Sequence, residues 1–401
     1  MAAGSTPGAP GTPGTTPGTP GTPRVLRAMN DRAVLDLLVA HGPLTRTRIG
    51  ELTGLSKPTT SQLLGRLEAA GLVHTTGSLS GRPGPNALLY EIDPGAGHVA
   101  ALSADPTGIT ALVADITGTV LGRERVEADA VAEDVRHRTA QLVAEAVDGA
   151  LRQAGLGHDD LRAAVIGTPG AIDPHTGELR YAPHLPGWHS RTLRDDLAAV
   201  LGTPVAIEND VNLAAVAEQY EGAAQDHDNY VLTWIDDGVG AAIVLGGTLL
   251  RGATGGAGEI GYMPLPGAPL AHGGPEATRG PDGGGGFQSL VSAPVVRELG
   301  GPHTSLEAAL ADDTVLAEVA RRLATGIAAV VAVVDPELVV LSGSVAQAGG
   351  DKLRVRVEEE LTGLALPRPQ VRISELAGDP ILTGALREAL TQARDQVFDT
   401  A

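Results

Sequence analysis

The stretch VAIENDVNLAA, residues 205–215, ends an apolar strand on Glu208, Asn209 and Asp210 and then opens a helix of small residues. A carboxylate at the C-terminal end of a strand, opening into a cleft, is placed to accept a hydroxyl hydrogen bond or to take a hydroxyl proton. A second group of interest lies nearer the N-terminus, where Ser56, Lys57, Thr59, Thr60, Ser61 and Gln62 gather short polar side chains at the start of a helical pattern. If that helix is the second of a helix-turn-helix, its first turns enter a DNA major groove. Lys57 and Arg66 then have the reach for phosphates, and Thr60, Ser61 and Gln62, with Thr59 beside them, are candidates for base edges. Arg82, in SGRPGP, falls at a hairpin tip from which an arginine enters the minor groove.

These residues need elements to hold them. Residues 1–23 repeat Thr-Pro-Gly with no large apolar side chain after Met1, so a disordered tail is expected. DRAVLDLLVAHG places Val34, Leu35, Leu37 and Leu38 on one face and stops at Gly42-Pro43; TRTRIGELTG runs from a Thr45 cap to Gly54. SKPTTSQLLGRLEAAG has Ser56 as cap, Pro58 in the first turn and Leu63, Leu64 and Leu67 facing inward. Two short strands around a Gly/Pro-rich tip follow, which completes the order of a winged helix-turn-helix over residues 24–93. The competing reading is a plain helical bundle whose hydroxyl cluster is a solvated face. Agreement of spacing, polarity and wing favours the DNA reader. From residue 94 on, strands in quick succession and then helices occur twice over, which predicts a two-lobed α/β domain with a cleft. The lobes are expected at about 94–215 and 216–401.

Composition sets limits. The 401 residues are 42% hydrophobic, enough for a large core and for two or three domains. There is no cysteine, which removes disulfides, thiolate chemistry and Cys-dependent metal sites and fits a reducing compartment. Without an apolar run of about 18 residues or a charged-then-apolar leader, a cytoplasmic protein free of membrane spans is expected. The net charge of -19 is uneven: residues 1–93 carry eight Lys/Arg against six Asp/Glu, and the rest 21 against 42. A near-neutral N-terminal module can still present a local basic face.

Three stretches, APHLPGWHSRTLRDDLAAVLGTPVAIENDVNLAAVAE, GVGAAIVLGGTLLRGATGGAGEIGYMPL and ELVVLSGSV, resemble the ROK family of sugar kinases and transcriptional repressors, in the branch with an N-terminal winged helix. The resemblance covers nearly everything from Val25 onward. It implies an actin/hexokinase-like fold of two ribonuclease-H-like lobes with a hexose or amino-hexose in the cleft. It further implies that Asn209 and Asp210 bind sugar hydroxyls, the aspartate being the general base in the kinases, and that Glu259 in GEIGY is another sugar-contacting carboxylate. Against this stands the reading of two merely exposed loop carboxylates.

Departures from the family pattern narrow the expectation. Family kinases open this domain with Asp-x-Gly-Gly-Thr, whose backbone N–H groups cradle ATP phosphates; here SADPTGITALVAD keeps Asp105, but Pro106 removes an N–H and the paired glycines are gone. Tight ATP binding is therefore not expected. The family's zinc site uses the His after GEIG and a cysteine cluster, whereas this chain has Tyr262 there and no Cys, so no zinc or other cofactor is expected, and His272 is read as a surface residue. Gln288 falls where the family has a sugar-binding Glu and His184 where it often has Asn, and both join the sugar-side candidates with Tyr262. The expected protein is a sugar-responsive transcription factor, most simply a repressor: a homodimer or tetramer on an operator in double-stranded DNA, controlled by a sugar or sugar phosphate. The main rival is a glucokinase-like hexose kinase with a DNA-binding head, in which Asp210 is catalytic; a third reading has the cleft sensing a protein partner.

Overall fold

The computed structural model describes residues 23–79, 87–128, 135–180, 188–270 and 285–399. The chain divides into two units, one up to Ile92 together with the last residues from Phe398, the other Asp93–Val397. The tail at residues 1–22 and the wing tip at residues 80–86 lie outside the described residues.

The first unit contains α1 (Pro23–His41), β1 (Leu44–Thr45), α2 (Arg46–Thr53), α3 (Lys57–Ala69), β2 (Val73–Leu79) and β3 (Ala87–Ile92), with the strands in antiparallel order β1-β3-β2. Val34, Leu35 and Leu38 of α1 and Leu63, Leu64 and Leu67 of α3 are buried with Ile49 of α2; each trio follows the same i, i+1, i+4 spacing that lays one stripe on the core. Thr45 caps α2, its side chain accepting from the Arg48 N–H, and Gly54 ends it in the left-handed conformation (φ 72°). Ser56 caps α3 in the same way through the Thr59 N–H, with Pro58 in the first turn. α1 starts at Pro23, well upstream of the apolar pattern at Asp31, because no residue between the two breaks a helix; Val25, Leu26 and Met29 in this extension are exposed.

In the second unit, β4 (His98–Asp105), β5 (Gly108–Asp115) and β6 (Val120–Glu127) form a meander. α4 (Val135–Ala154) then leads to β7 (Leu161–Thr168), the short ribbon β8 (Ala171–Ile172) and β9 (Leu179–Arg180), α5 (Leu193–Leu201), β10 (Val205–Asn209) and α6 (Asp210–Glu221). The sheet order is β10-β7-β4-β5-β6, with β7 parallel to β4 and β10 parallel to β7. The same plan then repeats. β11 (Tyr230–Ile235), β12 (Val239–Leu245) and β13 (Thr248–Leu249) form a second meander, followed by α7 (Gln288–Val291), α8 (Ala293–Leu299), α9 (Leu306–Ala311), α10 (Asp313–Val334), β14 (Leu338–Ser342), α11 (Ser344–Leu364), β15 (Gln370–Ile373) and α12 (Pro380–Val397). Its sheet order is β13-β12-β11-β14-β15, with β14 and β15 added in parallel. Each sheet is thus a meander extended by two parallel strands, the parallel steps needing helical crossovers. Leu102, Ala111 and Val113 of the first sheet pack on Val143 and Val147 of α4 and Leu197 of α5. Val231, Val339 and Leu341 of the second pack on Val319, Leu323 and Ile327 of α10 and Val357 of α11.

One element departs from the expected lobe boundary at about residue 216. α12 returns to the first sheet, where it packs on β4, β7 and α6. Every residue of β5 and all but the ends of β4 are buried, so the face opposite α4 and α5 also needs a cover. Small residues permit the close approach: a Cβ on Gly384 would overlap the main chain of Leu213 in α6, and one on Gly167 would overlap Ile381.

Candidate functional site

In the first unit, Lys57, Thr59 and Gln62 are exposed on the first two turns of α3. Ser61 is half-buried and accepts a hydrogen bond from Arg46 Nη1 at 3.0 Å, which brings an α2 cation into the group that the sequence reading passed over. Two expectations are corrected. Thr60 is fully buried and its hydroxyl donates to the Ser56 carbonyl at 3.1 Å, so it supports the turn and cannot reach a base edge. Arg66 Nη2 donates to Asp31 Oδ1 at 2.5 Å, and the Asp31 side chain is only 7% exposed. Its guanidinium therefore ties α3 to α1 rather than waiting for a phosphate. Arg82 lies outside the described residues.

In the second unit, the end of β10 and the start of α6 build the floor of a cavity of about 610 Å³. Asn209 is the α6 cap: its Oδ1 accepts from the Asn212 N–H at 3.0 Å, while its Nδ2 donates to the Gly170 carbonyl and to Asp210 Oδ1, both at 3.1 Å. Asp210 is the first residue of α6 and its Oδ1 also accepts from the Val211 N–H at 2.8 Å. Burial pushes its carboxyl up to about 6 against these hydrogen bonds, and the charge of Asp236 adds to the rise. Glu259 faces the same cavity and is pushed up to about 7, by burial first and by Asp210 second. Tyr262 and Gln288 complete the sugar-side candidates that the fold brings together here; His184 lies outside the described residues.

Glu208 organises the rim. Its Oε1 accepts from the Asn209 N–H (2.9 Å) and from Asn212 Nδ2 (2.8 Å), and its Oε2 accepts from Arg251 Nε at 2.7 Å. Arg251 begins the loop that ends on Glu259, and Gly258, in the left-handed region at φ 95°, sits so close to the Ala241 carbonyl that a Cβ would overlap it. The sequence signal for this brace was the other carboxylate of the IEND run, Glu208. On the opposite rim, the β11–β12 turn contributes Asp236 and Asp237, and Asp236 Oδ1 accepts from Ser344 Oγ, in the first turn of α11, at 2.7 Å. Sequence reasoning missed this pair because acidic residues are ordinary in hairpin turns.

The two cofactor questions have different answers at the residue level. Asp105 is already committed: its Oδ1 accepts from the Thr107 N–H, the Thr107 hydroxyl and the Gly108 N–H, and its Oδ2 pairs with Arg125 at 3.2 Å. Burial alone would raise its carboxyl, but the bonds from Thr107 and Arg125 hold it below its usual value. The zinc set implied by the family resemblance does not fit these residues, since Tyr262 stands at the histidine position and the chain has no cysteine. Among the described residues no group of three or more His, Asp or Glu side chains could hold a metal ion; His272 lies outside them. No described helix is long and apolar enough to cross a membrane.

A profile of the ROK family matches residues 100–289, and one of the MarR family matches residues 29–82. The xylose repressor of Bacillus subtilis is 24% identical over 240 residues, which are 60% of this chain and 61% of that repressor, so the match spans about three fifths of the repressor's length. The solved structure of a ROK family transcriptional regulator described as a homologue of the E. coli MLC protein superposes with a TM-score of 0.71 at 22% identity, covering 94% of this chain and all of that one. At that identity the likeness is one of fold. The ROK hexokinase of Thermus thermophilus is 30% identical, with a TM-score of 0.60, covering 74% of this chain and 99% of its own.

Proposed function

The chain belongs to the ROK family with a MarR-type winged helix in front, and on that basis we propose that it is a DNA-binding transcriptional regulator, a repressor whose operator affinity is set by a sugar or sugar derivative in the ROK cavity. The observation that carries the proposal is the joining, in one chain, of an exposed polar helix start in a winged helix and a carboxylate-lined cavity. Lys57, Thr59 and Gln62 stand exposed behind the Ser56 cap, and Asn209, Asp210 and Glu259 line the cavity. Lys57 supplies a phosphate contact, Thr59, Ser61 and Gln62 supply base-edge contacts, and Arg82 is proposed as the minor-groove contact. In the cavity, Asp210 and Glu259 accept sugar hydroxyls, Asn209 orients Asp210, and Tyr262, Gln288 and His184 complete the ligand shell. A homodimer, or a dimer of dimers, would read a palindromic site with half-sites about one helical turn apart, so a small rearrangement on ligand binding changes affinity.

A sugar kinase is the second reading, favoured by the similarity to the ROK hexokinase and by a carboxyl raised to about 6 that could serve as general base. Against it stand Pro106 and the commitment of Asp105 to its own turn and to Arg125. Incubating the protein with a hexose panel, ATP and Mg²⁺ separates the two. No turnover is expected, and steady turnover that vanishes in Asp210→Asn would overturn the non-enzymatic reading.

A further inference from the structure

Two cations of the first unit stand where a helix disfavours them. Arg46 is the first residue of α2 and Lys57 the first of α3, at ends that carry the partial positive charge of a helix, and neither first turn holds an acidic residue to offset it. Arg48 pairs with Glu51 and Arg66 with Asp31, whereas among the described residues Arg46 and Lys57 have no carboxylate partner. Both are exposed. A positive charge held against a helix dipole and left without a counter-ion of its own is one that an external polyanion can use.

Arg46 has one partner that makes it more than a phosphate contact. Its Nη1 donates to Ser61 Oγ at 3.0 Å, from the start of α2 to the second turn of α3. A hydroxyl has one hydrogen and two lone pairs. With a guanidinium N–H on one lone pair, the Ser61 hydrogen must point away from Arg46, and the positive charge makes that hydrogen a better donor and the remaining lone pair a poorer acceptor. The neighbouring Thr60 spends its own hydrogen on the Ser56 carbonyl at 3.1 Å. Ser61 has no such outlet: among the described residues nothing accepts its hydrogen.

Resting on the DNA-reading function proposed above, we infer that Arg46 is a specificity-setting residue that bridges a backbone phosphate and Ser61 and so commits the Ser61 hydroxyl to donate. In the major groove guanine offers N7 and O6, adenine N7 and thymine O4 as acceptors, whereas cytosine offers only its amino donor. The base facing Ser61 is therefore guanine, adenine or thymine. Cytosine is rejected, because its amino group meets a hydroxyl already turned to donate, with a guanidinium behind it. A serine free of Arg46 would make no such choice, since it accepts as readily as it donates.

The test takes a duplex selected by the full chain from a random library and measures its affinity, and that of each single-base variant of its half-sites, at several salt concentrations. Ser61→Ala marks the position: discrimination against cytosine should fall there and nowhere else. Arg46→Met should cut the discrimination against cytosine at that same position about fivefold, as one ordinary hydrogen bond implies, and lower the slope of log affinity against log salt by about one phosphate contact. The double variant should discriminate there no worse than Arg46→Met, since both residues act through one hydroxyl. A role confined to packing α2 on α3 would weaken all sequences by one factor. That result, a reduced salt slope with discrimination intact, or cytosine bound as well as the other bases at the Ser61 position overturns the inference and leaves DNA reading standing, as does a Ser61→Ala variant that alters no position. If the full chain enriches no duplex from the library, the DNA-reading function falls and the inference with it.

Discussion

Asp210 and Glu259 are carboxyls whose protonation the fold makes easier than in the unfolded chain, Asp210 reaching about 6 and Glu259 about 7. A raised folded-state value means the folded form holds the proton more tightly, so the stability these groups contribute is present at low pH and is lost as pH rises through about 6 and 7. The unliganded second unit should therefore resist denaturant better at pH 5.5 than at pH 7.5, and Asp210→Asn with Glu259→Gln should flatten the difference; an equal or larger difference in the double variant would contradict the assignment. At the other end of the chain, Lys57 and Arg66 separate by partner. Lys57→Ala should lower the slope of log affinity against log salt by about one phosphate contact and leave stability unchanged. Arg66→Ala removes the Arg66–Asp31 pair and should cost the first unit about 1 kcal/mol with the salt slope preserved. Denaturation curves and DNA titrations at several salt concentrations distinguish the pair. Asp210 was legible in the sequence because a polar run directly after an apolar strand marks the point where the chain leaves a sheet edge, and that is where clefts open in α/β folds. Thr60 was misjudged because a hydroxyl that bonds back to the carbonyl four residues earlier looks, in sequence, the same as one facing a groove.

At the scale of elements, α6 couples the cavity to the rest of the second unit. It begins on Asp210 and packs along α12 through contacts that tolerate no side chain at Gly384. Gly384→Ala should drive the helices apart, lowering the unfolding midpoint of the second unit and weakening sugar binding while leaving the DNA contacts of α3 in place. Thermal unfolding and sugar titration of that variant check it, and unchanged values in both would remove α12 as the support of α6. Caps and stripes made most elements readable: Ser56, Thr45 and the Leu63, Leu64, Leu67 spacing each name a helix and its inner face. The return of α12 to the first sheet was not readable, because an amphipathic helix records that one face is covered and not which sheet covers it. The Glu208–Arg251 brace was hidden for a related reason, since 43 residues separate its partners and neither lies in a periodic pattern.

At the scale of the whole molecule, the proposed function requires that occupancy of the ROK cavity change the affinity of the winged helix for DNA. That is a coupling free energy between two sites, and coupling of this kind is reciprocal: sugar must weaken DNA binding by the same factor by which DNA weakens sugar binding. On the proposed function, Asp210→Asn removes a charge-assisted hydrogen bond to the sugar, worth roughly 1.5–3 kcal/mol, so it should shift the sugar response by about one to two orders of magnitude without altering DNA binding in the absence of sugar. The decisive measurement uses a DNA duplex selected by the full chain from a random library, with its binding followed by fluorescence anisotropy as the concentration of a sugar that binds the chain rises. Wild-type protein should release the duplex, and Asp210→Asn should release it only at roughly ten- to hundredfold higher sugar. A duplex that stays bound to the wild type at saturating sugar, shown by calorimetry to be in the cavity, would contradict the coupling.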